Sequence, residues 1–248
     1  MRLSVLTLNL WNISEPLAPR RAALTAGIAR LEPDIVLLQE VARDPATAQL
    51  QSALVAEAGG FAHVLDGHGG LSIVSRFPLQ HAACVDLPEA PRDEPRYVLL
   101  AACITGAGPL LLANTHLAWR FEMIGERTAQ VDAVLKAIDD FRPINEFGAQ
   151  FLGGDFNDDP DSPAIQRVVT DGAGLRDVFA AHHPRDDGFT YALENSYVPR
   201  AYPRNQRVDY IFASGSATLE NCSVVLDGRA GLAPASDHYG VLAEFSFS

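Results

Sequence analysis

The stretch FLGGDFN, residues 151–157, places Asp155 and Asn157 directly after an apolar run and a pair of glycines. The arrangement recurs along the chain, where other apolar runs adjoin Asn9, Glu40, His116, Asp209, Asp237 and His238. The end of a strand lets a rigid sheet present a side chain to a cleft. Polar residues at several such ends therefore predict one shared functional site.

The size and composition of the chain predict one globular domain. It has 248 residues, of which 48% are hydrophobic, and a single hydrophobic core stops growing at about 250–300 residues. We therefore expect one domain over residues 1–248. No apolar run approaches the roughly 18 residues of a membrane span, and the N-terminus enters a strand pattern without a signal-peptide region. These features predict a cytoplasmic protein, monomeric by default.

Net charge bears on the class of substrate. The formal charge is −12, and no cluster of lysines and arginines forms a basic stripe. Such a surface repels a polyphosphate backbone at long range, which argues mildly against a tight DNA-binding protein. A nuclease remains an alternative, because a bound divalent cation and a few local arginines can supply the positive potential.

Hydrophobic patterning predicts a mixture of strands and helices. Runs rich in β-branched, aromatic and leucine residues predict strands at 2–9, 34–40, 71–75, 97–105, 110–116, 149–153, 207–213 and 239–247. Helical spacing of apolar residues predicts amphipathic helices within 17–31 and 121–141. The order of these elements fits two packed sheets with helices outside better than a purely parallel sheet.

Seven short segments carry a resemblance to a known family. They are, in chain order, Thr7-Leu8-Asn9, Leu38-Gln39-Glu40, Ser75-Arg76-Phe77-Pro78, Asn114-Thr115-His116-Leu117, Gly154-Asp155-Phe156-Asn157, Arg207-Val208-Asp209-Tyr210 and Ser236-Asp237-His238. In these segments the chain resembles the endonuclease/exonuclease/phosphatase superfamily, which includes deoxyribonuclease I and the neutral sphingomyelinases. The resemblance implies a four-layer α/β sandwich, in which two packed, mainly antiparallel mixed sheets are flanked by helices. It also implies phosphoester hydrolysis that depends on Mg²⁺ or Mn²⁺.

Glu40 and Asn9 are the first candidates for the metal site. Hydrolysis of a charged phosphoester needs a cation at the phosphoryl oxygens, a base for water and donors for the developing charge. Mg²⁺ prefers carboxylate oxygens and keeps several waters, so Glu40 is predicted as a ligand and Asn9 as an amide or water-mediated ligand. The structural alternatives are a solvated charge at Glu40 and a turn residue at Asn9.

The pair Asp155 and Asn157 is predicted to serve the reacting water and the phosphate. Strand-like spacing has a period of two, which would point both side chains to the same side. Asp155 is expected to orient or deprotonate the water, and Asn157 to donate its amide to a phosphoryl oxygen. The alternative is a purely structural Asx-turn that starts at Asp155.

The segment Ser236-Asp237-His238 puts a carboxylate next to an imidazole. The resemblance implies that His238 contacts the phosphate or acts as a general acid or base, that Asp209 holds its tautomer, and that Asp237 serves the metal site. The chemistry agrees, because a neighbouring carboxylate orients a histidine and favours its cationic form.

His116 distinguishes subgroups of the superfamily. Deoxyribonuclease I-like and sphingomyelinase-like members have a histidine at such a strand end, whereas exonuclease III-like repair enzymes lack it. This feature argues against an abasic-site endonuclease and predicts His116 as a second phosphate contact or leaving-group acid. Its acidic partner is open among Glu89, Asp93 and Glu94.

Four further residues flank these motifs. The resemblance implies a phosphate-contacting arginine at Arg96, with Arg92 as the alternative. Arg127 and Gln130 are expected to support a predicted helix rather than bind substrate. Trp119 and Phe121 could stack on a substrate, but aromatic residues at a strand-to-helix junction are more often core, so they are left out of the predicted site.

The predicted function is a Mg²⁺- or Mn²⁺-dependent phosphodiesterase that uses in-line attack of an activated water. The alternatives are a nuclease acting on DNA or RNA, a phosphomonoesterase for a small phosphate ester, and a catalytically silent module that binds a phosphorylated ligand. The partner is expected to be a phosphoester, which could be a small molecule, a lipid headgroup or a nucleic acid. Core chemistry is shared across these classes, so the motifs alone do not choose among them.

Overall fold

Apolar side chains along the strands build two β-sheets of six strands each. The computed structural model describes residues 1–141, 146–172, 174–229 and 233–247. Its strands are β1 (Arg2–Asn9), β2 (Ile35–Gln39), β3 (His63–Asp66), β4 (Ser72–Ser75), β5 (Leu79–Leu87), β6 (Arg96–Thr105), β7 (Gly108–His116), β8 (Ala149–Asp155), β9 (Arg176–Asp177), β10 (Asp209–Gly215), β11 (Thr218–Val225) and β12 (Gly240–Ser246). Its helices are α1 (Leu17–Leu31), α2 (Gln51–Gly59), α3 (Ile124–Asp140), α4 (Pro163–Asp171) and α5 (Val178–His182). None of these helices is long and apolar enough to cross a membrane.

The strand order puts a parallel pair in the middle of each sheet. The first sheet has the order β11-β12-β1-β2-β4-β3, and the second has the order β5-β6-β7-β8-β10-β9. β1 runs parallel to β2 and β7 runs parallel to β8, whereas the other pairs of named strands are antiparallel. The sheets are therefore mixed and mainly antiparallel, as the family resemblance implies.

The two faces of β1 show how the layers form. Val5 belongs to the core between the sheets, together with Leu37 of β2 and Phe151 of β8. Leu6 belongs to a second core on the other face, together with Ile28 of α1. Successive side chains of a strand point to opposite faces, so a strand that is apolar throughout is buried on both.

The second sheet is covered in the same way. Val134 of α3 and Ile165 of α4 share a core with Phe212 of β10. Ser162 caps α4 by accepting a hydrogen bond from the backbone N–H of Ile165, which satisfies one of the unpaired donors at a helix start. The order of layers is helices, sheet, sheet, helices, which confirms the predicted four-layer α/β sandwich.

The elements that sequence patterning missed are short or half-exposed. They are the strands β3, β5, β9 and β11 and the helices α2, α4 and α5. Most of β5 is exposed or half-buried, so it lacks the continuous apolar run that identifies a central strand. The prediction was also wrong about the start of the long helix, because α3 begins at Ile124 and leaves Phe121 outside it.

Gly154 allows β7 and β8 to approach closely beside the predicted site. Its φ is +146°, and a Cβ atom there would lie 2.0 Å from the carbonyl oxygen of Thr115. Thr115 is its partner in the parallel register of the two strands. The backbone neighbour cannot yield as a flexible side chain would, so this position requires glycine.

We expect Gly154→Ala to lower the free energy of unfolding by about 1–3 kcal/mol or more, because it combines a backbone clash with a disfavoured φ. Denaturant titration would measure the change. Gly125→Ala is the matched control, since nothing lies within 4 Å of a Cβ at this position in α3. Because Gly125 is the second residue of α3 and exposed, this substitution should change the free energy of unfolding by no more than about 0.5 kcal/mol. Equal effects of the two substitutions would contradict the prediction.

Candidate active site

The polar residues at the strand ends meet where the two sheets adjoin. The parallel strands β1 and β2 end at Asn9 and Gln39, and β7 ends at His116. His116 is paired in register with Asp155 at the end of β8, and Asp155 is paired with Asp209 at the start of β10. The topology thus brings side chains from distant parts of the chain to one place.

A cavity of about 680 Å³ opens at this place. Of the nine predicted site residues, Glu40, Arg96, His116, Asp155, Asn157, Asp237 and His238 line it, whereas Asn9 and Asp209 lie behind it. The loop that precedes Arg96 and the loop that contains Tyr202 both contribute residues to the lining of the cavity. Its volume is typical of a site that binds a small ligand or one segment of a larger ligand.

Asp155 lies at the centre of the polar cluster. Its Oδ2 accepts a hydrogen bond from Asn9 Nδ2 at 2.9 Å, and its Oδ1 accepts one from the backbone N–H of Asn157 at 2.9 Å. The same Oδ2 lies 3.5 Å from His116 Nε2 and 3.8 Å from His238 Nε2. Burial raises the pKa of Asp155, although both histidines oppose the shift. A buried carboxylate between two imidazoles is suited to exchanging a proton.

Glu40 is held by two amide groups. Asn9 Nδ2 donates to its Oε1 at 3.2 Å, and Asn12 Nδ2 donates to its Oε2 at 2.9 Å. Burial alone would raise the pKa of Glu40, but the charge of His116 and these hydrogen bonds keep it below its ordinary value. The residue also has φ of +53°, a costly conformation that often marks functional positions. Glu40 is therefore an ionised carboxylate at the cavity wall.

Asn9 spans the two carboxylates. Its Nδ2 reaches both Glu40 and Asp155, and its Oδ1 accepts from the backbone N–H of Trp11 at 2.9 Å. In this arrangement the amide oxygen is already engaged, so Asn9 organises the two acidic side chains. Its predicted part as a metal ligand stays a prediction.

Asp209 and His238 form a buried pair that joins the sheets. His238 Nδ1 lies 2.9 Å from Asp209 Oδ2, and the Asp209 side chain has no exposed surface. Burial by itself would lower the pKa of His238, but the charges of Asp209 and Asp155 raise it well above its ordinary value. His238 is therefore a cation at neutral pH, with Nε2 directed toward Asp155.

Asp237 adds a further carboxylate. Its Oδ1 accepts from Ser236 Oγ at 3.2 Å. Burial raises its pKa to about 6, with the charge of Glu40 adding to the effect and that of His238 opposing it. The accumulation of carboxylates in one buried cavity is thus electrostatically costly without a cation.

His116 and Arg96 both face the cavity. Burial lowers the pKa of His116, although the charges of Asp155 and Glu40 oppose the shift. Its carboxylate partner among the described residues is Asp155, whereas the candidate Glu94 contacts Arg120 and Trp119 instead. Burial also lowers the pKa of Arg96, though the charges of Asp155 and Glu94 oppose this.

Arg96 rather than its neighbour Arg92 lines the cavity. In the described part of the chain its Nε has no hydrogen-bond partner. Arg96 as a whole is half-buried, but this Nε is buried, and an anionic group in the cavity would satisfy it, because unsatisfied buried donors are costly.

Asn157 reaches the cavity by a different geometry from the one predicted. Its φ is +52°, so the chain leaves the strand conformation directly after Asp155. The turn is the Asx-turn considered from sequence, closed by the Asp155 side chain. Nδ2 donates to the Leu117 carbonyl at 3.1 Å, and an amide has a second N–H to offer. The structural and the functional interpretations are therefore compatible.

The chain was compared with known proteins. A model of the endonuclease/exonuclease/phosphatase family matches residues 6–238. The chain belongs to this family. Members of the family hydrolyse phosphoester bonds and depend on divalent metal ions. A search among curated proteins found no match.

Solved structures with the same fold cover the whole length of this family member. Truncated TDP2 from Caenorhabditis elegans is 20% identical with a TM-score of 0.81, covering 100% of this chain and 98% of that chain. TDP2 from D. rerio, complexed with a single-strand DNA product, is 23% identical with a TM-score of 0.81 and covers 99% of both chains. An endonuclease/exonuclease/phosphatase from Bacteroides vulgatus is 18% identical with a TM-score of 0.78 and covers 100% of both. At these identities the likeness concerns the fold.

The residues of the cavity fit the divalent metal ion on which the family depends. Glu40, Asp155 and Asp237 all line the cavity, and burial raises the pKa of Asp155 and Asp237. The charges of Glu40 and Asp155 raise the pKa of Asp237 further. A cation would relieve the repulsion among these carboxylates, and carboxylate oxygens are the ligands that Mg²⁺ prefers. Asp155, Asp209 and His238 also bring ligand atoms within 4.8 Å of one another. A protonated imidazole cannot ligate a metal, so the wall with Glu40 and Asp237 is the better fit.

Sequence reasoning missed the residues that hold these loops in place. Arg20 of α1 is 2% exposed and donates to the carbonyls of Leu10, Ser14 and Ala235. It thereby ties the loop after Asn9 to the segment before Ser236. The sequence did contain a signal for this role. Arg20 falls on the apolar face of a predicted helix, and an arginine is rarely buried unless it is paired.

Asn195 and Thr190 support the His238 side of the cavity. Asn195 Nδ2 donates to the carbonyls of Ser236 and Asp237. Thr190 Oγ1 accepts from the backbone N–H of Asp209 at 3.2 Å. Both lie in an irregular segment without periodicity, so no sequence pattern identified them.

The expected support residues do support the fold, but the aromatic pair was misplaced. Arg127 Nε donates to Asp158 at 2.8 Å, and Gln130 Oε1 accepts from the backbone N–H of Ala118. Trp119 and Phe121, expected in the core, are instead more than half exposed and line the cavity. Both residues lie after the end of β7 and before the start of α3, so they belong to neither element that packs into the core.

We expect His238→Ala to lower the free energy of unfolding by about 3–5 kcal/mol, because it leaves the Asp209 carboxylate buried without a partner. Urea titration at pH 7 would measure it. The double variant His238→Ala/Asp209→Asn removes the stranded charge and should recover a large part of the loss. If the single and double variants were equally stable, the pair would not carry the proposed electrostatic coupling.

Proposed function

We propose that this chain is a Mg²⁺- or Mn²⁺-dependent phosphodiesterase that cleaves its substrate by in-line attack of a water molecule. The observation that supports it most is the convergence of Glu40, Asp155, Asp237, Arg96 and the two histidines on one cavity. Both sheets contribute to that cavity, so we also propose that residues 1–248 act as a single catalytic domain.

Asp155 is the proposed base. Its raised pKa makes it a better proton acceptor than an exposed carboxylate, and hydrogen bonds from Asn9 and Asn157 fix its orientation. It would orient the attacking water and accept its proton at a carboxylate oxygen.

His238 is the proposed cationic group at the phosphate. Asp209 holds Nδ1, which leaves Nε2 at the cavity to contact a phosphoryl oxygen or to protonate the leaving oxygen. The buried carboxylate both fixes the tautomer and keeps the imidazole charged.

The phosphate itself would be positioned by hydrogen-bond donors that also line the cavity. Arg96 offers an open N–H and a full charge, Asn157 a second amide N–H, and His116 a ring N–H. Such preorganised donors stabilise charge that develops in the transition state.

Glu40 and Asp237 are the proposed metal-binding carboxylates, with Asn9 acting directly or through water. When bound there, the ion supplies Lewis-acid stabilisation of the phosphoryl oxygens. The catalytically silent alternative is disfavoured because the acidic residues and the His238–Asp209 pair are all present.

We expect hydrolysis of bis-p-nitrophenyl phosphate in the presence of Mg²⁺ or Mn²⁺, and its abolition by EDTA. Asp155→Asn should lower kcat on the order of 10²-fold or more, because it removes the base without changing the side-chain shape. Asp86→Asn is the control, since Asp86 is exposed on β5 and lies outside the cavity. Turnover of Asp155→Asn within about threefold of the wild type would count against the proposal.

The raised pKa of Asp237 predicts that metal binding depends on pH. Below its pKa of about 6 the carboxyl group is protonated and proton competes with metal. The affinity for Mn²⁺, measured by titration calorimetry, should therefore fall roughly tenfold from pH 7 to pH 5. In Asp237→Asn the affinity should be weaker and should lose most of this dependence. An unchanged pH profile in that variant would remove Asp237 from the metal site.

A further inference from the structure

A series of aromatic rings leads from His238 to the mouth of the cavity. The ring centroids of His238 and Tyr191 are 4.9 Å apart, those of Tyr191 and Tyr202 are 4.7 Å apart, and those of Tyr202 and Phe121 are 5.7 Å apart. All four residues line the cavity, as does Trp119. We call Tyr191, Tyr202, Phe121 and Trp119 the aromatic wall.

The outer part of the aromatic wall is exposed without an evident structural reason. Trp119 is 53% exposed and Phe121 is 54% exposed. Single exposed apolar residues are ordinary, but two large aromatic side chains at the mouth of a polar cavity are not. Aromatic rings contribute much contact area at low entropic cost, which suits them to ligand binding.

Trp119 is held in one orientation although it is exposed. Its Nε1 donates to Glu94 Oε2 at 3.1 Å, and the Arg120 guanidinium lies 5.1 Å from its ring centroid. Arg120 in turn pairs with Glu94 at 3.4 Å. A ring that is fixed before binding loses less entropy when a ligand stacks on it.

The surroundings of Trp119 favour a neutral planar ligand group over a quaternary ammonium group. An ammonium group would bind to the ring by cation–π attraction, but the Arg120 guanidinium already lies 5.1 Å from the Trp119 ring centroid and would repel a second cation. Both Glu94 oxygens are also engaged, one by Trp119 and one by Arg120, so this carboxylate is already paired.

We infer that the aromatic wall binds a planar aromatic ring carried by the phosphoester substrate, with Trp119 and Phe121 as the residues that select it. The inference rests on the proposed function, since the polar end of the same cavity takes the phosphate. It narrows the substrate class to ring-bearing phosphoesters, in which the ring is a nucleobase or an aryl group. A lipid phosphate with a choline headgroup has no such ring.

The test is an equilibrium titration of two matched ligand pairs in the presence of Mg²⁺. Thymidine 5′-monophosphate is compared with 2-deoxyribose 5-phosphate, and phenyl phosphate is compared with methyl phosphate. In each pair only the first ligand has a planar unsaturated ring. Binding needs no turnover, so the result stands apart from the outcome of the hydrolysis assay.

The wild type should bind the ring-bearing member about tenfold or more tightly, as expected for stacking on an aromatic side chain. Trp119→Ala and Phe121→Ala should reduce that preference and leave the affinity for the member without a planar ring unchanged. Trp119→Phe keeps an aromatic face and should therefore retain most of the preference. Phe189→Ala is the control, because Phe189 is an exposed aromatic residue outside the cavity.

The two pairs distinguish the sources of the ring. A preference in the thymidine pair alone supports a nucleobase, and a preference in both pairs supports any planar ring. The inference is overturned if the wild type shows no preference, including no detectable binding of any of the four ligands. It is also overturned if the Trp119 and Phe121 variants weaken both members of a pair equally. Turnover that EDTA abolishes, combined with either result, would leave the proposed function intact.

Discussion

The site depends on polar contacts that cross from one sheet to the other. Asn9 of β1 donates to Asp155 of β8, and Gln39 of β2 donates to Asn114 of β7 at 2.7 Å. His238, just before β12, pairs with Asp209 at the start of β10. Each contact joins groups that are buried and that would be costly if left alone. The contacts that align the two sheets therefore also set the geometry of the cavity, and they act as a single constraint on both.

This constraint explains why unfavourable local features persist at the site. Glu40 and Asn157 have positive φ values, Asp209 Oδ1 has no partner among the described residues, and several carboxylates line one cavity. Such features cost free energy and persist only where the surrounding structure enforces them. The cores on both faces of each sheet provide that enforcement, so the site can keep charges in an arrangement suited to an anion and a cation.

Much of the site was predictable because strands impose a simple pattern on a sequence. A buried strand is a continuous apolar run, and the first polar residue after it marks its end. Asp155 was found in this way, Glu40 and His116 follow shortly after the ends of such runs, and His238 directly precedes the last predicted strand. Asn195 was not, because it lies in an irregular segment and acts through backbone carbonyls. Trp119 and Phe121 were misplaced because an aromatic residue looks alike in sequence whether it is buried or exposed.

The sequence by itself determined the central strands, the two longest helices and the set of acidic and imidazole groups. These follow from hydrophobic periodicity and from the residue types near strand ends, which are local properties of the chain. The four-layer sandwich was implied by the resemblance of the motifs to a known family. Only the tertiary structure decided the charge states and the shape of the cavity. The pKa of His116 is lowered and that of His238 is raised because they have different buried neighbours. Proximity between residues far apart in the chain, such as Asp209 and His238, is set by packing and is not visible in local sequence.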